Sequence, residues 1–281
     1  MKFTLKRKTQ AKIITTLIIL VTSIIFILPF LWMISTSFKR ADEIFSVIPK
    51  WLPAEFSFRN YFGVWSRPYF TKYLMNSAVV SLSTMIVALS VAVLAGYGIS
   101  RFNFRGRTIF AIVLVAVQMF PTVLLLIPLY IIMQKTGLLN THLSMIVAYT
   151  TFAMPFCTWM IKGYFDTIPK QLEEAARIEG YGSGRILLHI VIPLAAPGIV
   201  TVAMFAFVLS WQEYLYALTF ARTEEIRTLI VGLSLMQGQH GSVNWGEIMA
   251  GSVIACIPGL VLFTYLEKYL VQGFTMGALK E

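Results

Sequence analysis

Long apolar runs separated by short polar stretches set the pattern of this chain. The apolar runs cover residues 13–34, 73–98, 108–133, 141–161, 194–220 and 246–270. About 20 helical residues cross the hydrocarbon core of a bilayer, so each run is long enough to span it. The pattern predicts an all-α polytopic membrane protein with six transmembrane helices. Residues 13–270 read as one membrane domain, between a basic tail at 1–12 and a short tail at 271–281. The first run is too long for the apolar part of a cleavable signal peptide, and no A-x-A site comes after it, so a retained first helix is expected. The second run is rich in small residues, among them Ser77, Ser81, Ala88, Ala92 and Gly96. Small residues let membrane helices approach closely. Pro121 and Pro128 in the third run each remove a helix hydrogen bond and predict kinks, and Pro155 lies in the fourth. The stretch 35–72 is a polar connection with many aromatics, expected along the membrane interface.

The most polar run of the membrane domain is 171–193, QLEEAARIEGYGSGRILLHIVIP. Pro169 suits the first turn of a helix, where a missing N–H costs nothing. Glu173 and Glu174 favour the positive helix end. Gly180 is a stop signal, and Gly182 and Gly184 keep the next few residues loose. A second short helix is expected over about 185–190, ending against Pro193. The result is a helix–turn–helix outside the membrane between spans four and five. Small Ala175 and Ala176 would let another surface come close. From the residues alone, this element is either an amphipathic connector resting on lipid headgroups or a docking element.

Composition narrows the class. The chain is 57% hydrophobic and only 13% charged, with a mean hydropathy of +0.74. Soluble chains carry nearer a quarter charged residues. The net charge of +10 could suggest nucleic acid, but the basic residues cluster at the ends of apolar runs, as topology signals do. With six spans both termini share a side. That side, which also holds the 171–193 loop, has 14 of the 23 Lys and Arg residues, and the other has nine. The excess of basic residues predicts that the termini and the loop are cytoplasmic. Cys157 and Cys256 lie in apolar runs and read as small hydrophobes. His142, His189 and His240 are scattered, without metal-ligand spacing. The Gly-rich run 180–185 lacks the Lys of a phosphate-binding loop and the strand before it, so no ATP site of that kind is expected here.

The 171–193 run resembles the EAA loop of permease subunits of ATP-binding-cassette importers. Glu174, Ala175, Ala176, Gly180, Ile190 and Pro193 match its pattern, with Ile192 where Leu is usual. Further stretches resemble the sugar-importer branch, the group that includes the maltose-transporter permeases. They are Tyr97 to Arg107, Gln118-Met119-Phe120-Pro121 with Pro128-Leu129-Tyr130, Ser210 to Leu215, and Asn244 to Pro258. The ending Tyr269 to Ala278 resembles the tail of the smaller, G-type partner of heterodimeric sugar permeases.

The resemblance implies a type I importer permease fold, in a bacterial or archaeal plasma membrane. In that family the loop at 169–193 is a coupling helix that docks on an ATPase subunit. Glu174, Ala175, Ala176 and Gly180 are the docking face it implies, with Glu174 facing a basic group of the ATPase. It implies as partners a homologous second permease, an ATPase dimer, an extracytoplasmic sugar-binding protein and membrane lipid. No cofactor would be held by this chain; ATP and Mg would be bound by the partner ATPase, which would also do the hydrolysis. A glycan path needs aromatic faces and hydrogen-bonding groups. Asn76, Gln118, Tyr130, Trp211, Gln212, Glu213 and Tyr214 are the candidates, Glu213 first, because an ionisable residue within a span usually faces a cavity or partner. Trp211 and Tyr214 could equally be interfacial anchors, and Gln118 or Asn76 interhelical hydrogen-bonding groups. Two competitors are a permease of the same superfamily for another small solute and an ion-coupled secondary transporter, which would leave the EAA loop without a role. An intramembrane enzyme would need a catalytic constellation, and the sequence offers none.

Overall fold

The structure, a computed structural model, describes residues 2–237 and 243–278, with side chains over 12–237 and 243–268. His240 therefore lies outside the described residues, as do the side chains of the basic stretch before Lys12 and of the C-terminal end. Every regular element among the described residues is helical. Four helices, Lys12–Ser37, Phe70–Arg101, His142–Thr167 and Trp245–Lys268, are long and apolar enough to cross a membrane. Two further pairs of helices pass the same test but are sharply bent, and counting each as one span gives six. The chain divides into two compact units, 1–68 with 233–256, and 69–232 with 257–281.

In the first unit, α1 (Lys2–Ser37) begins within the stretch expected as a tail, so residues 2–12 are its first turns. Isoleucines, leucines and phenylalanines from Ile13 to Leu31 point outward all round it. That arrangement suits lipid rather than water, because no polar face is kept. Its last residues are tied down: Asn60 Nδ2 donates to the carbonyls of Ser37 and Lys39 at 2.9 and 2.8 Å. The aromatics of 35–72 cluster on one another, with Trp32 against Trp51 and Phe38 against Phe56, Phe58 and Tyr61. Two short helices, α2 (Ala41–Ile44) and α3 (Arg59–Trp65), complete this connection. Arg67 pairs with Glu247 at 2.6 Å.

The second unit is built on α4 (Phe70–Arg101), α7 (His142–Thr167) and α11 (Ala196–Trp211). Ala88, Ala92 and Gly96 on α4, and Ala153, Cys157 and Ile161 on α7, recur every four residues and so form one stripe on each helix. They share one buried core. A Cβ at Gly96 would lie 2.9 Å from Ile161, and one at Gly198 would lie 2.2 Å from the Tyr164 ring. Without a water-driven force inside a membrane, such close backbone packing holds helices together.

The structure departs from the expected spans at three places. The third span is broken rather than kinked. α5 (Arg107–Gln118) stops, a 3₁₀ turn over Thr122–Leu125 leads into α6 (Leu126–Lys135), and the axis turns by 96°. Pro121 has no N–H for the Val117 carbonyl, which instead accepts from Phe120 at 3.1 Å. Pro128 makes no kink, because it sits in the first turn of α6, where its N–H is not needed.

The second helix of the 171–193 loop does not end at Pro193. It runs as α9 (Ser183–Ile186), a π-helical turn over Leu187–Val191 and α10 (Ile192–Leu194). Pro193 lies in the first turn of α10, where its missing N–H is tolerated. The break comes at Ala195, with an 83° bend into α11. The fifth span, expected as one helix over 194–220, is interrupted again at 212–214 and resumes as α12 (Leu215–Phe220).

Two loop expectations also change. Helix α13 (Leu229–Leu235) occupies part of the stretch expected as a polar loop, with Leu229 and Val231 fully buried. Helix α14 (Trp245–Ala278) continues through most of the expected C-terminal tail.

Candidate functional site

The 169–193 loop begins where α7 ends. Ile168, preceding a proline, is extended at φ −81° and ψ 125°, and Pro169 opens α8 (Lys170–Ile178). Helix α8 closes in a Schellman motif: Tyr181 N donates to Ala176 O and Gly180 N to Arg177 O, both at 3.0 Å. Gly180 takes φ +87° with nothing within 4 Å of where a Cβ would stand. Backbone conformation alone requires glycine there.

α8 has two faces. Glu173 and Ala176, three residues apart, point inward and are 2% and 5% exposed. Glu174, Ala175 and Ile178 are exposed, Ile178 at 89%. Of the four residues expected on a docking face, Glu174, Ala175 and Gly180 are at the surface, while Ala176 belongs to the core of the unit. Ile178 joins the exposed set. Its aliphatic side chain lies one helical turn beyond Glu174, a spacing that the motif does not single out.

Glu173 carries the main polar link from α8 to the rest of the unit. Its carboxylate accepts from Arg101 Nε at 2.5 Å and from Tyr97 Oη at 3.1 Å. Both side chains of the ion pair are 3% exposed. Arg101 also donates through Nη2 to the carbonyls of Phe165 and Ile168, at 2.8 and 3.2 Å, and through Nη1 to Ser100 Oγ at 2.8 Å. These carbonyls lie at the negative end of α7, where that of Phe165 also accepts from Ile168 N at 3.1 Å. Ser100 in turn donates to Asp166 at 2.5 Å, and Lys162 donates to the other oxygen of Asp166 at 2.5 Å. One guanidinium thus joins the last turn of α4, the end of α7 and the inward face of α8. A buried charge is tolerated only when so fully paired.

The path candidates are dispersed. Asn76 joins α4 to the 225–227 backbone, donating to the carbonyls of Glu225 and Arg227 at 2.8 and 2.9 Å, with His142 Nε2 at 2.9 Å from its Oδ1. Tyr130 pairs with Arg222 and packs near Phe220. Trp211 is buried and stacks on Phe207. Gln212 is exposed at the end of α11, and Tyr214 precedes α12. Both carboxylate oxygens of Glu213 accept backbone N–H groups, from Tyr216 and Ala217 at 3.0 Å, so it caps α12. Gln118 and Glu213 do share a neighbourhood. Gln118 reaches the Phe152 carbonyl at 3.4 Å, and the Phe152 ring packs on Tyr216, whose hydroxyl donates to Thr122 O at 2.6 Å. This group lies around the helix breaks at 119–121 and 212–214.

Residues 88–276 match the family described as binding-protein-dependent transport system inner membrane component. The chain belongs to that family. The matched region contains the loop, the Arg101–Glu173 pair and both broken spans. A trehalose/maltose transport system permease protein of Thermococcus litoralis is 36% identical over 92% of this chain and 93% of its own length. A sulfoquinovosyl glycerol transport system permease protein of Agrobacterium fabrum is 36% identical over 90% of this chain and 88% of its own. The fold matches, with a TM-score of 0.80, a chain of a bacterial transporter involved in import of the acidic polysaccharide alginate, at 21% identity and with 92% and 95% of the two chains covered. As a member of the family, this permease is a multi-pass plasma-membrane protein.

Sequence reasoning left Arg101, Tyr97, Ser100, Asp166 and Ile178 without a role at this site. It also assigned Glu173 only to the positive end of α8. The available signal was the helical spacing: Tyr97 and Arg101 share a face of α4, and Glu173 shares a face of α8 with Ala176, opposite Glu174 and Ile178.

Proposed function

We propose that this permease is a membrane-spanning subunit of an ATP-driven importer of sugars or oligosaccharides, and that α8 is its coupling helix. The observation that carries the coupling role is the division of α8. Glu173 and Ala176 are anchored in the permease, while Glu174, Ala175 and Ile178 stand free of it. An acidic group beside an exposed aliphatic one suits a groove with a basic rim and an apolar floor. That groove would belong to an ATPase subunit, which would hold ATP and Mg. This chain needs no cofactor of its own. A homologous second permease completes the path, and an extracytoplasmic sugar-binding protein delivers the substrate. The named relatives carry trehalose, maltose and a sugar glycerol, which supports a glycan substrate.

The excess of Lys and Arg on the loop side orients the loop and both termini to the cytoplasm. ATP closing the ATPase dimer would shift the path between inward- and outward-facing states. By linkage, substrate at one end and ATP at the other then bias the same two-state equilibrium.

Proteoliposomes holding the complete complex, with ATP inside, test this directly. Labelled trehalose and maltose are presented with the binding protein outside. ATP-dependent accumulation of either, lost with Glu174→Arg, is the expected result. Accumulation that ignores ATP but responds to an imposed ion gradient would contradict it.

A further inference from the structure

Besides Ala176 in the core, helix α8 is connected to the rest of its unit at three places, and these differ in stiffness. Upstream it continues directly from α7 through Ile168 and Pro169. Downstream it reaches α9 through Gly180-Tyr181-Gly182-Ser183-Gly184, where Gly180 has a positive φ and none of the three glycines has a neighbour within 4 Å of an added Cβ. Laterally it meets α4 through Glu173, in a pair that is 3% exposed on both sides. The downstream connection holds three glycines, which restrict the backbone least, and is tied by Tyr181, whose ring packs on the core and lies 4.2 Å from the Arg185 guanidinium. The lateral one is the stiff one. Arg101 is held at once by Glu173, Ser100 and two carbonyls at the end of α7, and Glu173 is held from a second direction by Tyr97.

We propose that the Arg101–Glu173 pair is the joint through which displacement of α8 is delivered to α4 and α7, so that these three helices move as one body. Arg101 and Glu173 are thereby positioning residues for coupling: they act through α8 and need no contact with the ATPase or the substrate. This rests on the coupling role proposed for α8. The arrangement fits that task because a buried ion pair resists being pulled apart far more than an exposed one. Opening it leaves two charges without partners in a region that water does not reach.

Spin-label distances within the assembled complex test this. One label replaces Lys170, exposed on the flank of α8, and the other replaces Met75, exposed near the opposite end of α4. Cys157 and Cys256 are replaced by alanine. With the pair intact, the distance should be narrow and unchanged between nucleotide-free and ATP/Mg-bound states, because both labels ride on one body. In Arg101→Met with Glu173→Met, which removes both charges together, the distance should shift or broaden on adding ATP/Mg while the ATPase subunit still copurifies. Tyr97→Phe should give a smaller change of the same kind. An ATP-dependent distance in the intact protein, or an unchanged narrow one in the double variant, would overturn the proposal. Absence of an ATPase subunit from the intact preparation would instead remove the coupling role on which it rests.

Discussion

The two ends of the second unit use polar side chains in different proportions. At the loop end, side chains meet side chains across elements: Arg101 with Glu173, Tyr97 with Glu173, and Ser100 and Lys162 with Asp166. At the other end and around the helix breaks such pairs also occur, Tyr73 with Glu224, His142 with Asn76 and Arg222 with Tyr130, and beside them several side chains meet backbone. Glu213 caps α12, Asn76 holds the carbonyls of Glu225 and Arg227, and Asn140 Oδ1 accepts from the amides of Arg222 and Thr223 at 2.9 and 3.0 Å. The first arrangement locks helices to one another. The second adds partners for backbone groups where a helix stops, a need that is strongest for irregular backbone within a membrane. One end ties three helices together at a single guanidinium, and the other supports helices where they are interrupted.

The contrast is most exposed to test at Arg101. Arg101→Met strands the Glu173 carboxylate and should cost about 3–5 kcal/mol, read as a large loss of thermal stability in detergent. Adding Glu173→Met should recover most of that loss, and failure to recover would mean that the cross-element lock is not a mutual one. Gly198→Ala pushes a Cβ into the Tyr164 ring and should cost about 1–3 kcal/mol as overpacking at the start of α11. Gly180→Ala should cost about 1–2 kcal/mol, because its φ of +87° is unfavourable for a residue with a Cβ.

At the other end, Glu213→Ala should cost about 1 kcal/mol as the loss of a cap. Uptake by the folded fraction separates two roles: near-normal uptake assigns Glu213 to backbone support, and abolished uptake assigns it to the path as well. Smallest of all, Gly182→Ala should stabilise by about 0.4–1 kcal/mol, since its φ of −72° suits alanine and nothing is crowded there.

Much of the loop end was legible in the sequence. Pro169, the two glutamates and Gly180 specify a helix and its stop locally, and a Gly at that position favours the Schellman closure. The partner of Glu173 was not legible. It lies 72 residues away on α4, and pairing over that separation is decided by how α4, α7 and α8 pack. Pro193 misled because it stands in the first turn of α10, where a missing N–H is tolerated, and the bend comes at Ala195. The interruption at 212–214 was hidden because apolar residues continue on both sides, while the signal, Glu213 ahead of Tyr216 and Ala217, looks like a charged path residue. The break at Pro121 was anticipated in place but not in extent. A proline fixes where a hydrogen bond is lost, and the surrounding packing fixes how far the axis turns.

On the proposed reading α8 does two jobs at once: its outward face would dock an ATPase subunit while Arg101 holds its inward face. Affinity purification from the native membrane puts both to the test, comparing the unaltered permease with Glu174→Arg combined with Ile178→Asp. Both substitutions lie at exposed positions and leave the Arg101–Glu173 pair untouched. An ATPase subunit and a second permease should accompany the unaltered chain, and the double variant should keep the second permease but lose the ATPase. Retention of the ATPase by the double variant, or its absence from both preparations, would contradict the docking role of α8.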